Sequence, residues 1–321
     1  IYAGNGGNAA RPTQIYGAAS GTSIVTQSTI YGGSGIDVIQ GGPGSDLIYA
    51  GSGASTINSG SGFDTIYGSN ASNISDTLSG VDLLVAGAGD ETLSAIGSDT
   101  MVAGTGVDQL LYGNSSLPGS PTYVFNQGFG QDTITNMAGG TLVFGAGITP
   151  ASLSVSLGMV SLSGGANAVS MVINDGSSSI VIPYGLDPEE IGDIEFSDSP
   201  PENLAQFVDS SNTPQDQVFV AQDGQSFVLS TASNAQFDSS PSAIWAFGNN
   251  DLAVDSELYA YGNNDTLNGQ LVWSGGNGNL VQCVDSSTLA GDNDTLQGGG
   301  GVHVAGSGDT IDVTAGSEGD I

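Results

Sequence analysis

One aliphatic side chain returns every nine residues in the first third of the chain, at Ile39, Ile48, Ile57 and Ile66. That period fits neither a helix nor a long alternating strand. It describes a three-residue strand with one inward side chain, followed by a six-residue turn. The four units read GGSGIDVIQ, GGPGSDLIY, AGSGASTIN and SGSGFDTIY over residues 32–67. The pattern returns as TLSGVDLLV (77–85), AGAGDETLS (86–94) and AGTGVDQLL (103–111), with a shortened AIGSDTMV between the last two. Self-similarity at a fixed period marks a solenoid. Two units make one coil, so residues 18 apart stack, Asp46 over Asp64 and Asp37 over Ser55. This places a β-roll over residues 1–120.

Beyond it the pattern changes. Stretches 153–157, 168–173 and 179–182 alternate apolar and polar residues, with a turn signal at Asn174-Asp175-Gly176, which predicts an antiparallel β module over 121–198. Ser199-Pro200-Pro201 reads as a chain break, 202–208 as a short helix, and 217–229 as a hairpin turning at Asp223-Gly224, so 199–243 is read as a linker. From 244 to 321, Leu258, Leu267, Val272, Leu280, Leu289, Leu296, Val304 and Ile311 recur at mostly seven- to nine-residue intervals, predicting a second, less uniform solenoid. The expected fold class is all-β, with parallel solenoid segments at both ends.

The turns carry the chemistry. Glycines in a GGxGxD sequence allow positive φ and turn carbonyl oxygens outward, and the aspartate completes an all-oxygen cage suited to a hard cation, above all Ca²⁺. The residues assigned to cation binding are Gly33, Gly35, Asp37, Gly42, Gly44, Asp46, Gly51, Gly53, Gly60, Gly62 and Asp64, then Asp82, Asp90 and Asp108. GNND, GDND and GSGD sequences add Asp251, Asp265, Asp294 and Asp309, and Asp320 completes the set. The Asp46/Asp64 side is expected to hold ions better than the side where Ser55 replaces aspartate.

These units resemble the RTX (repeat-in-toxin) family of haemolysin-type calcium-binding repeats, whose pattern is GGxGxDxUx. Residues 123–134 (YVFNQGFGQDTI) are similar to a module often found beside such repeats. The resemblance implies a right-handed parallel β-roll folded by several calcium ions outside the cell, and export by type I secretion from a Gram-negative bacterium. Ser55, Glu91 and the stretch 69–75 depart from the motif.

Charge narrows the function. The formal net charge is −32 and Arg11 is the only strongly basic residue. Nothing here neutralises a phosphate backbone or docks on an anionic membrane. Such a charge repels itself in a compact state unless a cation is bound. With 38% hydrophobic residues the chain is nevertheless expected to fold. Cys283 stands alone, so no intramolecular disulfide forms, and no run of 18 apolar residues suggests a spanning helix. His303 is the one histidine and no G-x-S-x-G elbow occurs, so no enzymatic activity is expected.

The two ends match in register. Joined, Asp320-Ile321-Ile1-Tyr2-Ala3-Gly4 reads D-I-I-Y-A-G, against D-L-I-Y-A-G at residues 46–51. This leads to the expectation of a head-to-tail junction through Ile1, Tyr2, Ala3, Gly4, Gly319, Asp320 and Ile321, with the chain as its own partner in an extracellular filament or surface layer. The alternatives are the stalk of a type I-secreted adhesin, or the calcium-binding part of a secreted enzyme or toxin. Cell-surface polysaccharide is a further candidate partner.

Overall fold

The computed structural model describes residues 1–2, 12–17, 27–68, 72–75, 81–113, 119–137, 139–161, 167–187, 190–220, 226–237, 243–298 and 301–312. They form two compact units. The first comprises residues Ile1–Leu153, Val172–Gly185 and Glu189–Asn203; the second comprises Ser154–Met171, Leu186–Pro188 and Leu204–Ile321.

In the first unit the chain alternates between two parallel sheets. One contains Thr29–Tyr31, Leu47–Tyr49, Thr65–Tyr67, Leu83–Val85, Thr100–Val102, Thr122–Phe125, Gly140–Phe144 and Ile191–Phe196; the other runs from Thr13–Tyr16 through Asp37–Pro43 and Ser55–Ser61 to Ser178–Pro183. The central residue of each short strand faces inward and stacks on its counterpart one coil away. One column is Ile30, Ile48, Ile66, Leu84, Met101, Tyr123, Leu142 and Ile194. The other is Ile15, Ile39, Ile57, Ile74, Leu93, Leu110 and Ile134. All are buried, and each side chain removed from water contributes about 1.5–3 kcal/mol. On the outer face Tyr2, Tyr31, Tyr49 and Tyr67 stack with ring centroids 4.8, 5.0 and 5.1 Å apart.

The parallel ladder does not stop at residue 120. Thr122–Phe125 pairs in parallel with Thr100–Val102, and Gln131–Thr135 with Gln109–Tyr112. Gly140–Phe144, Ser178–Pro183 and Ile191–Phe196 extend the same two sheets in parallel. The antiparallel reading of 121–198 is thus corrected for these strands. Alternation of apolar and polar residues is common to both pairings. What changed is the filling: Tyr123, Phe125, Phe129 and Phe144 replace aliphatic residues inside. The coil lengthens from 18 residues to 24 between Asp108 and Asp132, which erases the nine-residue signature. Ser199–Glu202 is an edge strand, antiparallel to Ile191–Phe196, rather than a break. An edge tolerates its two prolines because no outward N–H is needed there.

The longest segment of the second unit begins with the helix Leu204–Ser210, which buries Leu204, Phe207 and Val208. Asp216–Val220 and Ser226–Ser230 then form an antiparallel pair with Gln217 opposite Leu229, the expected hairpin. From Ala243–Ala246 onward the pairing is parallel again, through the long strands Leu252–Ala260, Thr266–Ser274 and Leu280–Leu289 to Thr310–Asp312. These coils are shorter, 14 or 15 residues, and each makes one acidic turn instead of two. Ala253, Leu267, Val281, Leu296 and Ile311 stack in register, as do Ile244, Leu258, Val272 and Ser287.

Candidate metal centres

Close stacking of turns requires glycine. A Cβ on Gly51, Gly53, Gly60 or Gly62 would overlap the carbonyl oxygen of Gly33, Gly35, Gly42 or Gly44, respectively, in the preceding coil. All eight sequence-assigned glycines therefore pair off, coil on coil, and hold a column of carbonyl oxygens along each edge of the roll.

Beside each column runs a ladder of acids. On one edge Asp46, Asp64, Asp82 and Asp99 are buried. The backbone N–H of each donates to Oδ1 of the next: Asp46 to Asp64 at 2.7 Å, Asp64 to Asp82 at 2.9 Å, and Asp82 to Asp99 at 2.8 Å. Ser28 donates to Asp46 in the same way at 2.7 Å. The opposite edge carries Asp37, Ser55, Glu91, Asp108 and Asp132, all buried. Here Glu91 N–H donates to Asp108 and Asp108 N–H to Asp132, both at 3.0 Å. Asp37 and Asp108 also close their own turns, accepting from Gly33 and Gly104 at 2.7 Å.

In four of these acids one carboxylate oxygen is satisfied and the other is not. Asp37 Oδ1, Asp46 Oδ2, Glu91 Oε1 and Asp132 Oδ2 are buried without a hydrogen-bond partner, and a buried charge with no compensation costs several kcal/mol. At Gly41 the reason for this arrangement is visible: a Cβ there would overlap the Ser59 carbonyl oxygen and stand 3.0 Å from Asp46 Oδ2. Carboxylate and carbonyl oxygens converge on one space with no donor between them. An oxygen-only set of this kind suits a hard divalent cation. Among the described residues no three His, Cys, Asp or Glu side chains converge on one point, so the carbonyl oxygens of the glycine turns must supply the balance of any such set.

The electrostatics agree. Burial, and then the charge of Asp108, push Asp132 up to about 8. Glu91 is pushed up to about 7 by burial and then by neighbouring Asp108. Burial raises Asp46 and Asp108 as well, against hydrogen bonds that favour the charged form. Without a cation, burial shifts each of these groups toward its protonated form.

The second unit repeats the ladder once per coil. Asp251 N–H donates to Asp265 at 2.9 Å, Asp265 to Asn279 at 2.7 Å, Asn279 to Asp294 at 2.7 Å and Asp294 to Asp309 at 2.9 Å. Asp265 is pushed up to about 7, first by burial. Cys283 is a buried thiol donating to the Gln270 and Ser286 carbonyls, and His303 lies on the exposed strand Gly301–Val304.

Three positions differ from the sequence reading. Asp90 is exposed and accepts the Val107 N–H; Glu91 takes the buried ladder place, because it stands at the sixth position of AGAGDETLS, as Asp37 and Asp46 do in their units. Asp99 and Asp132 belong to the ladders and were missed. Asp99 closes the shortened unit 95–102, where one deleted residue hides it from a nine-residue template. Asp132 lies in Gly128-Phe129-Gly130-Gln131-Asp132, whose G-x-G-x-D signal was available. Asp320, Gly319, Ile321, Ala3 and Gly4 lie outside the described residues. Ile1 and Tyr2 form the outermost rung beside Tyr31.

Comparison with known protein families gives four overlapping matches to the RTX calcium-binding nonapeptide repeat, at residues 31–66, 51–84, 67–95 and 76–110. No curated protein matches the chain.

Proposed function

From the premise that the chain belongs to the RTX family, whose calcium-binding nonapeptide repeats it carries over residues 31–110, we propose that it is an extracellular structural protein whose solenoid folds on calcium and then assembles end to end. RTX repeats bind calcium and are typical of secreted bacterial proteins. The observation that carries the proposal is the row of buried carboxylate oxygens facing carbonyl oxygens without a donor.

Calcium supplies the positive charge those oxygens lack. Asp46, Asp64, Asp82 and Asp99 would hold it on one edge, and Asp37, Glu91, Asp108 and Asp132 on the other, each with turn carbonyls. Where calcium is scarce the 33 acidic residues repel one another and the chain stays open. Outside the cell, millimolar calcium exceeds the roughly 10⁻⁴–10⁻³ M dissociation constants of extracellular modules, and binding to the folded form alone drives folding. The role is structural rather than catalytic. Assembly is supported by the terminal register and by the Tyr2–Tyr31–Tyr49–Tyr67 column, on which a further coil bearing the same residues would continue both the stack and the inner isoleucine row. No helix among the described residues is long and apolar enough to cross a membrane.

Electron microscopy of the full chain in millimolar calcium, then in excess EGTA, tests the assembly. Fibres or sheets that dissolve on chelation are expected. Monodisperse particles at every calcium concentration would remove assembly from the proposal and leave a calcium-folded module.

A further inference from the structure

The outer face of one sheet in the first unit has a composition that the calcium chemistry does not use. Along it, the residue after each inward side chain stacks on its counterpart one coil away. The column begins with four tyrosines, Tyr2, Tyr31, Tyr49 and Tyr67, and continues with four valines, Val85, Val102, Val124 and Val143. The residue before each inward side chain forms a second column, threonine or leucine throughout from Thr29 to Thr141. No charged residue stands on these rungs, although the chain carries 33 acids. The face ends where Val143 pairs with the exposed Glu195. The corresponding column of the other sheet is polar instead, over Gln40, Asn58, Ser75 and Ser94.

An uncharged, largely apolar stripe on the outside of a sheet marks a contact surface, and two features select its occupant. The first is charge. A net charge of −32 holds copies of the chain apart, so a second copy approaches at least cost where no acid stands. The second is shape. Four bulky rungs followed by four small ones make the column self-complementary. A two-fold axis running along the strand direction, between Tyr67 and Val85, sets every tyrosine of one copy against a valine of the other. Tyrosine on tyrosine would instead leave a gap between the valine halves. The rings stack face on face, at interplanar angles of 7°, 4° and 10°. They therefore offer edges to a partner, not the broad faces on which a sugar ring stacks.

We propose that two copies of the roll pair side by side through this face with their coil axes opposed. Tyr67 then meets Val85, Tyr49 meets Val102, Tyr31 meets Val124 and Tyr2 meets Val143. The contact is isologous, the same patch serving on both copies, and Glu195 of each copy is left outside it. Eight rungs about 4.8 Å apart and roughly 10 Å wide give a footprint of about 400 Å² per copy. Stable complexes bury about 800 Å² per partner, so a single pair is weak and forms at high concentration. Copies already joined in a longer assembly would add such contacts together. The pairing rests on the calcium-folded roll of the proposed function, but not on its end-to-end stacking.

The test uses the full chain in millimolar calcium. Two single variants, Tyr49→Cys and Val102→Cys, are mixed in equal amounts in a glutathione redox buffer. Disulfide-linked heterodimers are expected well beyond their statistical share, because the opposed register places these two positions face to face. End-to-end contacts leave both far from the junction. Cys283 is buried and common to both variants, and the native chain measures its background. Adding Thr100→Asp to both partners puts a charge inside the pair and is expected to cut the heterodimer yield about tenfold or more. Ser94→Asp, on the polar sheet, is expected to leave the yield unchanged. Homodimers in excess, or no links at all, overturn the pairing. No links together with retention of the native chain on a neutral polysaccharide resin overturns it as well, and gives the face to a sugar. Fibres without heterodimer links overturn the pairing and leave end-to-end assembly standing; links without fibres do the reverse.

Discussion

A chain carrying Gly60→Val is expected to remain unfolded over residues 31–110 at calcium concentrations that fold the native chain. Gly60 sits at φ +105°, a conformation that a β-branched residue adopts only at a cost of about 1–3 kcal/mol. The larger penalty is steric. A Cβ there would overlap the Gly42 carbonyl oxygen and lie 2.6 Å from the Gly42 nitrogen. Gly42 and Gly60 are register partners in neighbouring strands, so relief means separating two coils. In a solenoid each coil touches only its neighbours, and a broken interface is not shared out over a large core. The same separation would pull the carbonyl column away from Asp46 and Asp64. Gly97→Ala is the control: Gly97 has φ +74° but nothing lies within 4 Å of its added Cβ, so only a backbone cost of about 1 kcal/mol is expected. Limited proteolysis across a calcium titration separates the two. Equal protection of both variants would mean that the turns do not stack as described.

Without calcium, the fold is expected to weaken as pH rises, the reverse of ordinary acid denaturation. Asp132 is pushed up to about 8, and Glu91 and Asp265 up to about 7, burial being the first cause in each. Unfolded carboxylates titrate near pH 4. A carboxyl group whose folded value is raised contributes stability that is fully present below the unfolded value and is lost as pH climbs through the folded one. The window here runs from about pH 4 to pH 8. In EGTA a thermal transition present near pH 5 should therefore move down as pH rises and be lost where the chain opens. In millimolar calcium it should stay nearly level, because the cation takes the place of the proton. A melting temperature in EGTA that rises over that range would show that these carboxylates are not buried in the calcium-free fold.

Much of this fold was legible because its first coils keep a strict nine-residue interval. Four isoleucines at a strict interval and an acid at a fixed offset determine strand, turn, stacking partner and ligand together, and the structure pairs Asp46 with Asp64 as that register requires. Legibility failed where packing changed the period. Aromatic residues at 123, 125, 129 and 144 replace the aliphatic ones inside and the coil lengthens to 24 residues between Asp108 and Asp132, so a parallel ladder looked like an antiparallel module. A single deletion before Asp99 moved that ligand off the template while leaving it in the stack, and at 86–94 the sixth position carries Glu91 where aspartate was expected. In the second solenoid the interval between apolar residues mixes two positions of one bent strand, which disguised a 14- to 15-residue coil as an irregular shorter one.

The most direct test of calcium-driven folding is far-UV circular dichroism of the full chain at neutral pH, begun in excess EGTA and titrated with calcium to millimolar concentration. A cooperative gain of β-structure, with its midpoint near the affinity of the bound ions, is the expected result. A spectrum already complete in EGTA and unchanged by calcium would contradict it, because the buried carboxylates would then be accommodated without any cation.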